Sequence, residues 1–266
     1  MTTSSQIANL AGSAVTTRVS LHGGDLSVVE CVELADGRSV VAKHGPQALA
    51  EAGMLYAMAK TGTPVPEVLG QTQGIILLEY LPETPPSAKG WAALGRSLRQ
   101  MHDSQGDTYG WPEDYAFGKV IISNTQMTNW PQFWAENRLL SEAENLPPDI
   151  SKRLQTLAQR LPEIVSHDPP AALLHGDLWG GNILFSDHSA YLIDPACYYG
   201  DPEVDLAMLT LFGRPPASFF EAYGPLRPGH EKRRPVYQLW PALVHLRLFG
   251  AGYRGMVTGL LDSLCA

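Results

Sequence analysis

The chain is poor in cysteine. Only Cys31, Cys197 and Cys265 occur in 266 residues. Their spacing matches no zinc motif, and an odd number argues against a disulfide framework. Long apolar runs are missing as well. No stretch approaches the run of about 18 apolar residues that a membrane span needs, and Met1 to Ser20 is polar, without a signal-peptide core. Basic residues are the minority, 19 Lys and Arg against 27 Asp and Glu, for a net charge of -8. A nucleic-acid backbone is therefore not an expected partner. The one basic cluster, His230-Glu231-Lys232-Arg233-Arg234, is too short to change that and reads as a solvated helix start. No internal repeat or low-complexity tract is present. These absences exclude secreted disulfide scaffolds, zinc modules and membrane-spanning proteins, and point to a reduced cytoplasm.

What is present is a globular composition, 44% hydrophobic and 17% charged, in a chain that changes character near residue 82. Val28 to Leu34 alternates as a half-buried strand, Asp36-Gly37 is a hairpin turn, and Ser39 to Lys43 is the return strand. Gln47 to Lys60 reads as a helix ended by Gly62-Thr63-Pro64-Val65-Pro66. Ile75 to Tyr80 is a continuous apolar strand suited to burial on both faces. After the Pro-rich Leu81 to Gly90, helices dominate. Trp91, Leu94, Leu98 and Met101 recur at helical spacing, as do Ile150, Leu154, Leu157 and Leu161. Three short strands interrupt at Leu173-Leu174, Ile183 to Phe185 and Tyr191 to Ile193; Pro241 should break or kink the apolar region Val236 to Leu264. The expectation is an α+β fold: a β-rich lobe with its hinge over 1–81, a larger helical lobe over 82–266, and a ligand cleft between them.

The strongest chemical signal is His175-Gly176-Asp177-Leu178-Trp179-Gly180-Gly181-Asn182, followed by Tyr191-Leu192-Ile193-Asp194-Pro195. Asp and Asn cap turns constantly, but this order and spacing is that of a kinase catalytic loop. Phosphoryl transfer needs a carboxylate at the attacking hydroxyl and a metal against the phosphates. Asp177 suits the first role. Asn182 and Asp194 offer oxygen ligands for Mg2+. Weaker signals lie upstream. Gly23-Gly24 can form a turn over phosphates or a plain hairpin. Lys43, after Val40-Val41-Ala42, stands where a strand lysine would meet nucleotide phosphates, and Glu51 on the next helix can hold it. Glu79, Tyr80 and Leu81 fall at the junction, where the Glu79 C=O and Leu81 N–H can meet an adenine edge. Trp179 offers either a stacking face for a sugar or an apolar wall. His175 reads as a brace of the loop, and His22 and His44 as surface residues. Trp130, Phe133, Trp134, Tyr198 and Tyr199 read equally as core or pocket wall.

These strings resemble the fructosamine kinase, or ketosamine kinase, family within the aminoglycoside-phosphotransferase-like branch of the protein-kinase-like fold. The resemblance covers nearly the whole chain. It includes Asp194-Pro195-Ala196, Tyr198-Tyr199-Gly200, Asn129-Trp130, Phe133-Trp134 and His245-Leu246-Arg247-Leu248-Phe249-Gly250. It implies a two-lobed kinase fold, ATP and Mg2+ as cofactors, and a small sugar-amine acceptor. It further implies Asp177 as catalytic aspartate, Asn182 and Asp194 as metal ligands, Lys43 and Glu51 as the phosphate-positioning pair, and Asp205 as a brace of the catalytic loop. The stretch from Lys43 to Glu51 is shorter than in larger members. Gly176 replaces the arginine with which protein kinases sense a phosphorylated loop, and no long activation segment separates Asp194 from Asp205. A constitutively assembled small-molecule kinase is therefore expected, acting on a ketosamine. The alternatives are an aminoglycoside or choline-like acceptor, or a non-catalytic nucleotide-binding protein. Nothing in the pattern fixes an oligomeric state.

Overall fold

The computed structural model describes residues 2–21 and 27–265, apart from the side chain of Cys265. Gly23, Gly24 and His22 lie outside the described residues. Helix α1 (Thr3–Ala11) is followed by strands β1 (Val15–Leu21), β2 (Val28–Leu34) and β3 (Ser39–His44). Helix α2 (Ala48–Lys60) and strands β4 (Val68–Gln71) and β5 (Ile75–Glu79) come next. The five strands make one antiparallel sheet in the order β1-β2-β3-β5-β4. The turn at Asp36-Gly37 closes as its composition requires, with Gly37 at φ 85° and the Leu34 N–H bonded to the Arg38 carbonyl at 2.9 Å.

Both faces of β5 are covered, which explains its unbroken apolar run. Ile75 and Leu77 pack with Ile7, Val32 and Val40 on the α1 side. Ile76 and Leu78 pack with Ala48, Ala52 and Leu55 of α2 on the other. The covering helix α1 and the strands β1 and β4 have no counterpart in the sequence-based reading. Six of the seven β1 residues are exposed, so no alternating pattern marks that strand. Helix α1 buries only Ile7 among its residues.

The rest of the chain is mainly helical. It comprises α3 (Ala88–His102), the hairpin β6 (Tyr115–Phe117) and β7 (Val120–Ile122), α4 (Trp130–Trp134) and α5 (Pro148–Ile164). Then come β8 (Ala172–Leu174), β9 (Ile183–Ser186), β10 (Ser189–Leu192) and β11 (Tyr198–Gly200). Helices α6 (Glu203–Leu209), α7 (Ala217–Tyr223), α8 (His230–Phe249) and α9 (Arg254–Cys265) complete it. Two antiparallel ribbons, β9 with β10 and β8 with β11, frame the loop at 175–182. Trp130, Phe133 and Trp134 are fully buried and Tyr198 nearly so, which makes them core rather than pocket wall. The two lobes share packing through α2, whose Met54 and Met58 join Leu94, Leu98, Leu173 and Leu192. The Cys197 N–H also lies 3.2 Å from the Met54 sulfur.

Two expectations are corrected here. Of the break or kink expected at Pro241, the break does not occur: α8 runs through Pro235 and Pro241 to Phe249 and ends at Gly250, φ 84°. The lost backbone bond is offset because α8 buries Val236, Leu239, Trp240, Leu243 and Val244 in the main core. The basic cluster does start a helix, but Arg233 is not simply solvated; it bonds Glu203 at 2.7 and 2.8 Å. Among the described residues no helix is long and apolar enough to cross a membrane.

Helices α3 and α7 touch through Gly95. A Cβ there would sit 2.4 Å from the Phe219 carbonyl oxygen and 2.9 Å from the Tyr223 nitrogen. Gly53, exposed on α2, has nothing within 4 Å of the same position. Gly95→Ala is expected to lose roughly 1–3 kcal/mol through overpacking, whereas Gly53→Ala should gain about 0.5–1 kcal/mol from helix propensity. Urea midpoints of the two variants check this; equal shifts would refute the close packing of α3 on α7.

Candidate active site

The site is built where the sheet meets the two ribbons. Lys43 lies on β3, held in register opposite Val29 and Ile76. Its ammonium is bonded to Glu51 Oε2 at 2.7 Å and to Asp194 Oδ1 at 2.8 Å. Glu51 is in the first turn of α2 and is buried; Asp194 is half-buried. The trimmed connection before α2 thus still brings Glu51 to Lys43. Burial works against the Lys43 charge, but the two carboxylates more than offset it and hold the ammonium above the ordinary lysine range.

Asp177 lies in the loop between β8 and β9, and Asn182 at the end of that loop. Asn182 Nδ2 donates to the Asp177 backbone carbonyl at 2.8 Å and to Asp177 Oδ2 at 3.0 Å. Its backbone carbonyl accepts from the Ile193 N–H at 3.1 Å, which ties Asn182 to the strand end that carries Asp194. Asp194 itself has φ 55°, a left-handed conformation that costs a residue with a side chain free energy and turns its carboxylate off the strand. Burial pushes the Asp177 carboxyl up to about 7 against the Asn182 hydrogen bond, with the charges of Asp194 and Asp205 adding to the rise.

Buried polar groups hold this loop. His175 is fully buried, and burial pushes its imidazole below the ordinary histidine range, so it is neutral. Its Nε2–H donates to the Ile193 carbonyl at 2.9 Å, which leaves Nδ1 to accept the Asp177 N–H at 3.3 Å. Asp205 on α6 accepts from the His175 N–H at 2.8 Å and the Gly176 N–H at 3.0 Å. His102 on α3 donates to the same carboxylate at 3.1 Å. Burial would raise the Asp205 carboxyl, but these bonds hold it below its usual range. Gly176 has φ 81°, and a Cβ would lie 2.0 Å from the Ala196 carbonyl oxygen, so no arginine could stand there in this backbone.

A cavity of about 330 Å³ joins these groups. Its walls include Lys43, Glu51, Asp177, Asn182, Asp194 and Trp179. Trp179 is 40% exposed, so it is wall and not core. The indole lies over Gly181, where a Cβ would meet it at 2.3 Å; Gly180 has open space and carries no such requirement. Glu79, Tyr80 and Leu81 are not on this lining. Glu79 ends β5 and Tyr80 and Leu81 follow it; the Glu79 N–H bonds the Glu67 carbonyl at 2.9 Å and its carboxylate accepts the Glu67 N–H at 3.2 Å. His44, read as a surface residue, also lines the cavity and pairs with Glu30 at 2.9 Å. Two parts of the lining were missed from sequence. The β6–β7 hairpin brings Tyr115, Phe117 and Gly118, and its three-residue strands carry no pattern. Helix α8 brings Trp240, Pro241, His245, Leu248 and Phe249; the string from His245 to Gly250 marked the family without indicating a pocket.

The donor set fits a hard cation held together with phosphates. Asn182 and Asp194 offer oxygen only, and the Asn182 Nδ2 bonds to Asp177 leave its Oδ1 for a ligand. Among the described residues no cluster of three His, Cys, Asp or Glu forms a closed cage. An Asn and an Asp oxygen fit Mg2+, which takes one or two protein oxygens and completes its shell with phosphate and water.

Asp205→Ala leaves two buried amides and His102 without their acceptor. It is expected to cost roughly 3–5 kcal/mol of stability, read as a lowered urea midpoint. A variant as stable as the wild type would show that Asp205 does not brace the loop.

Family and fold follow from likeness to known proteins. The Fructosamine kinase family model matches residues 1–266. A Vibrio parahaemolyticus protein named "probable ketoamine kinase" is 34% identical over 90% of this chain and 89% of its own. A crystal structure from Thermobifida fusca, provisionally named a fructosamine-3-kinase, superposes with a TM-score of 0.91 at 32% identity, covering 99% of this chain and 98% of that one. An aminoglycoside phosphotransferase solved with ADP and hygromycin B shares the fold alone, with a TM-score of 0.65 at 17% identity over 100% of both chains. With its kinase-like loop, its two-lobed frame and these matches over its full length, the chain belongs to the fructosamine kinase family.

Proposed function

We propose that this chain transfers the γ-phosphate of ATP to a hydroxyl of a ketosamine, of fructosamine or ribulosamine type. Family membership supports an ATP-dependent phosphotransferase acting on a hydroxyl. The observation that carries the reading is the single cavity in which Lys43, Glu51 and Asp194 face Asp177 and Asn182, with Trp179 on the wall. In this reading Lys43 leaves Asp194 to meet phosphate oxygens while Glu51 keeps hold of it. Asn182 and Asp194 hold Mg2+, which when bound neutralises charge on the phosphates. Asp177 orients the acceptor hydroxyl toward the γ-phosphorus and accepts its proton. Adenine lies along the backbone at Glu79 to Leu81, between an N-terminal lobe over 1–81 and a C-terminal lobe over 82–266. Cytoplasmic ATP and the unpaired thiols of Cys31 and Cys197 suit a cytoplasmic site of action. Positioning and charge neutralisation supply most of the rate enhancement in such chemistry.

Asp177→Ala should keep the fold and ATP binding while losing phosphoryl transfer to a ketosamine by roughly 10²–10⁴-fold. Coupled measurement of ADP release and phosphorylated product, with the melting temperature as control, tests it. Near-normal turnover in a folded variant removes Asp177 from this role and the mechanism with it.

Trp179 is expected to face the acceptor. Trp179→Ala should raise the acceptor KM or lower its kcat/KM, with the ATP KM close to wild type. Gly181→Ala should act in the same direction because its methyl displaces the indole. Gly180→Ala, in open space, should behave as wild type. Equal effects on the two KM values would place Trp179 on the nucleotide side instead.

A further inference from the structure

The cavity has two chemically different halves. Where β3, α2 and the loop meet, its described walls carry charge on Lys43, Glu51, Asp177 and Asp194. On the α6 and α8 side the walls are Val204, Met208, Trp240, Pro241, Val244 and Leu248. No described lining residue of that side is Asp, Glu, Lys or Arg. Two polar groups there are already engaged within the protein. The Tyr237 hydroxyl donates to Asp201 at 2.8 Å, and His245 Nδ1 is bonded to the Pro241 carbonyl at 2.8 Å.

This apolar half continues to the surface as a row of rings. Trp179 meets Phe212 edge-on at 6.4 Å, Phe212 lies 4.8 Å from His245, and His245 lies 5.4 Å from Phe249. Trp179, Phe212 and Phe249 are 40%, 42% and 46% exposed. Large apolar side chains left open, contiguous with a ligand cavity, mark a surface that a ligand covers. The sugar part of a ketosamine is a row of hydroxyls, which this half has few free groups to satisfy. In the ketosamine reading the sugar hydroxyls meet the charged half, beside Asp177. What remains to fill the other half is whatever the amine nitrogen carries.

We infer that the α6–α8 half of the cavity and its aromatic rim bind an uncharged apolar substituent on the acceptor nitrogen. The site thereby selects, among ketosamines, those bearing an alkyl or aryl group there. This deepens the ketosamine reading and rests on it. A charged tip in the same place would lose its water without gaining a counter-charge. For the same reason polycationic aminoglycosides are poorly matched, because their ammonium groups need carboxylates that this wall lacks.

The test is kcat/KM for a series of ketosamines of one sugar bearing N-methyl, N-butyl, N-benzyl, N-carboxyethyl or N-aminoethyl groups, at fixed Mg-ATP. The expected result is a rise of about 10–100-fold from N-methyl to N-benzyl, with both charged tips below N-methyl. Phe212→Ser and Phe249→Ser alter exposed rings, so each should fold. Each should lower the N-benzyl to N-methyl ratio by about tenfold. A flat series, a preference for either charged tip, or an unchanged ratio in both variants overturns the inference and leaves the ketosamine reading standing. No phosphorylation of any ketosamine overturns both.

Discussion

A lysine ammonium taken out of water must be given counter-charges, and Lys43 is given two. Much of the site geometry follows from that requirement. Glu51 can reach Lys43 only if α2 lies against the sheet with its first turn over β3, and the packing of Ala48, Ala52 and Leu55 on Ile76 and Leu78 puts it there. Asp194 can reach Lys43 only if the β9–β10 ribbon lies beneath the sheet. Met54 and Met58 bind α2 to the cluster that contains Leu173 and Leu192, which holds that ribbon in place. The ion triad is thus the polar centre of an interface whose apolar part is α2. Because the Coulomb attraction roughly balances the cost of burial, the triad specifies position more than it adds stability.

The second frame is made of hydrogen bonds. Asp205 holds the amides of His175 and Gly176, and His175 in turn links the Asp177 amide to the Ile193 carbonyl one residue before Asp194. Asp177 and Asp194 are therefore fixed relative to each other by buried hydrogen bonds within the protein. No phosphorylated segment is needed to assemble this loop, consistent with Gly176 standing where only a glycine fits. The opposite wall of the cavity is built differently, from α8, whose two prolines are retained inside a helix clamped by its core contacts.

The chemistry was legible in the sequence where it is local. The string from His175 to Asn182 and the Asp after a short apolar strand are motifs whose spacing sets their geometry, and the structure brings Asp177, Asn182 and Asp194 to one cavity. Burial of β5 on both faces was legible from its unbroken apolar run, although the covering helix α1 was not, since it buries only Ile7. The α8 wall of the cavity was not legible because α8 is apolar on more than one face, and its pattern cannot separate core from cavity. Tyr115 and Phe117 lie on a hairpin too short to carry a pattern. His44 was misread because its partner Glu30 sits on the neighbouring strand, a contact that spacing does not reveal. The double glycine divides in the same way: Gly181 is required by the indole above it, a long side chain whose direction is not written in the sequence, and Gly180 is not.

The proposed transfer of a phosphoryl group from ATP to a ketosamine is open to direct test. The most direct measurement offers the purified protein Mg-ATP with a ribulosamine, a fructosamine and an aminoglycoside in competition, and reads product masses against ADP released. One phosphorylated ketosamine per ADP is expected, with the aminoglycoside left unmodified. Phosphorylation of the aminoglycoside in preference, or ADP release without any phosphorylated ketosamine, would contradict it.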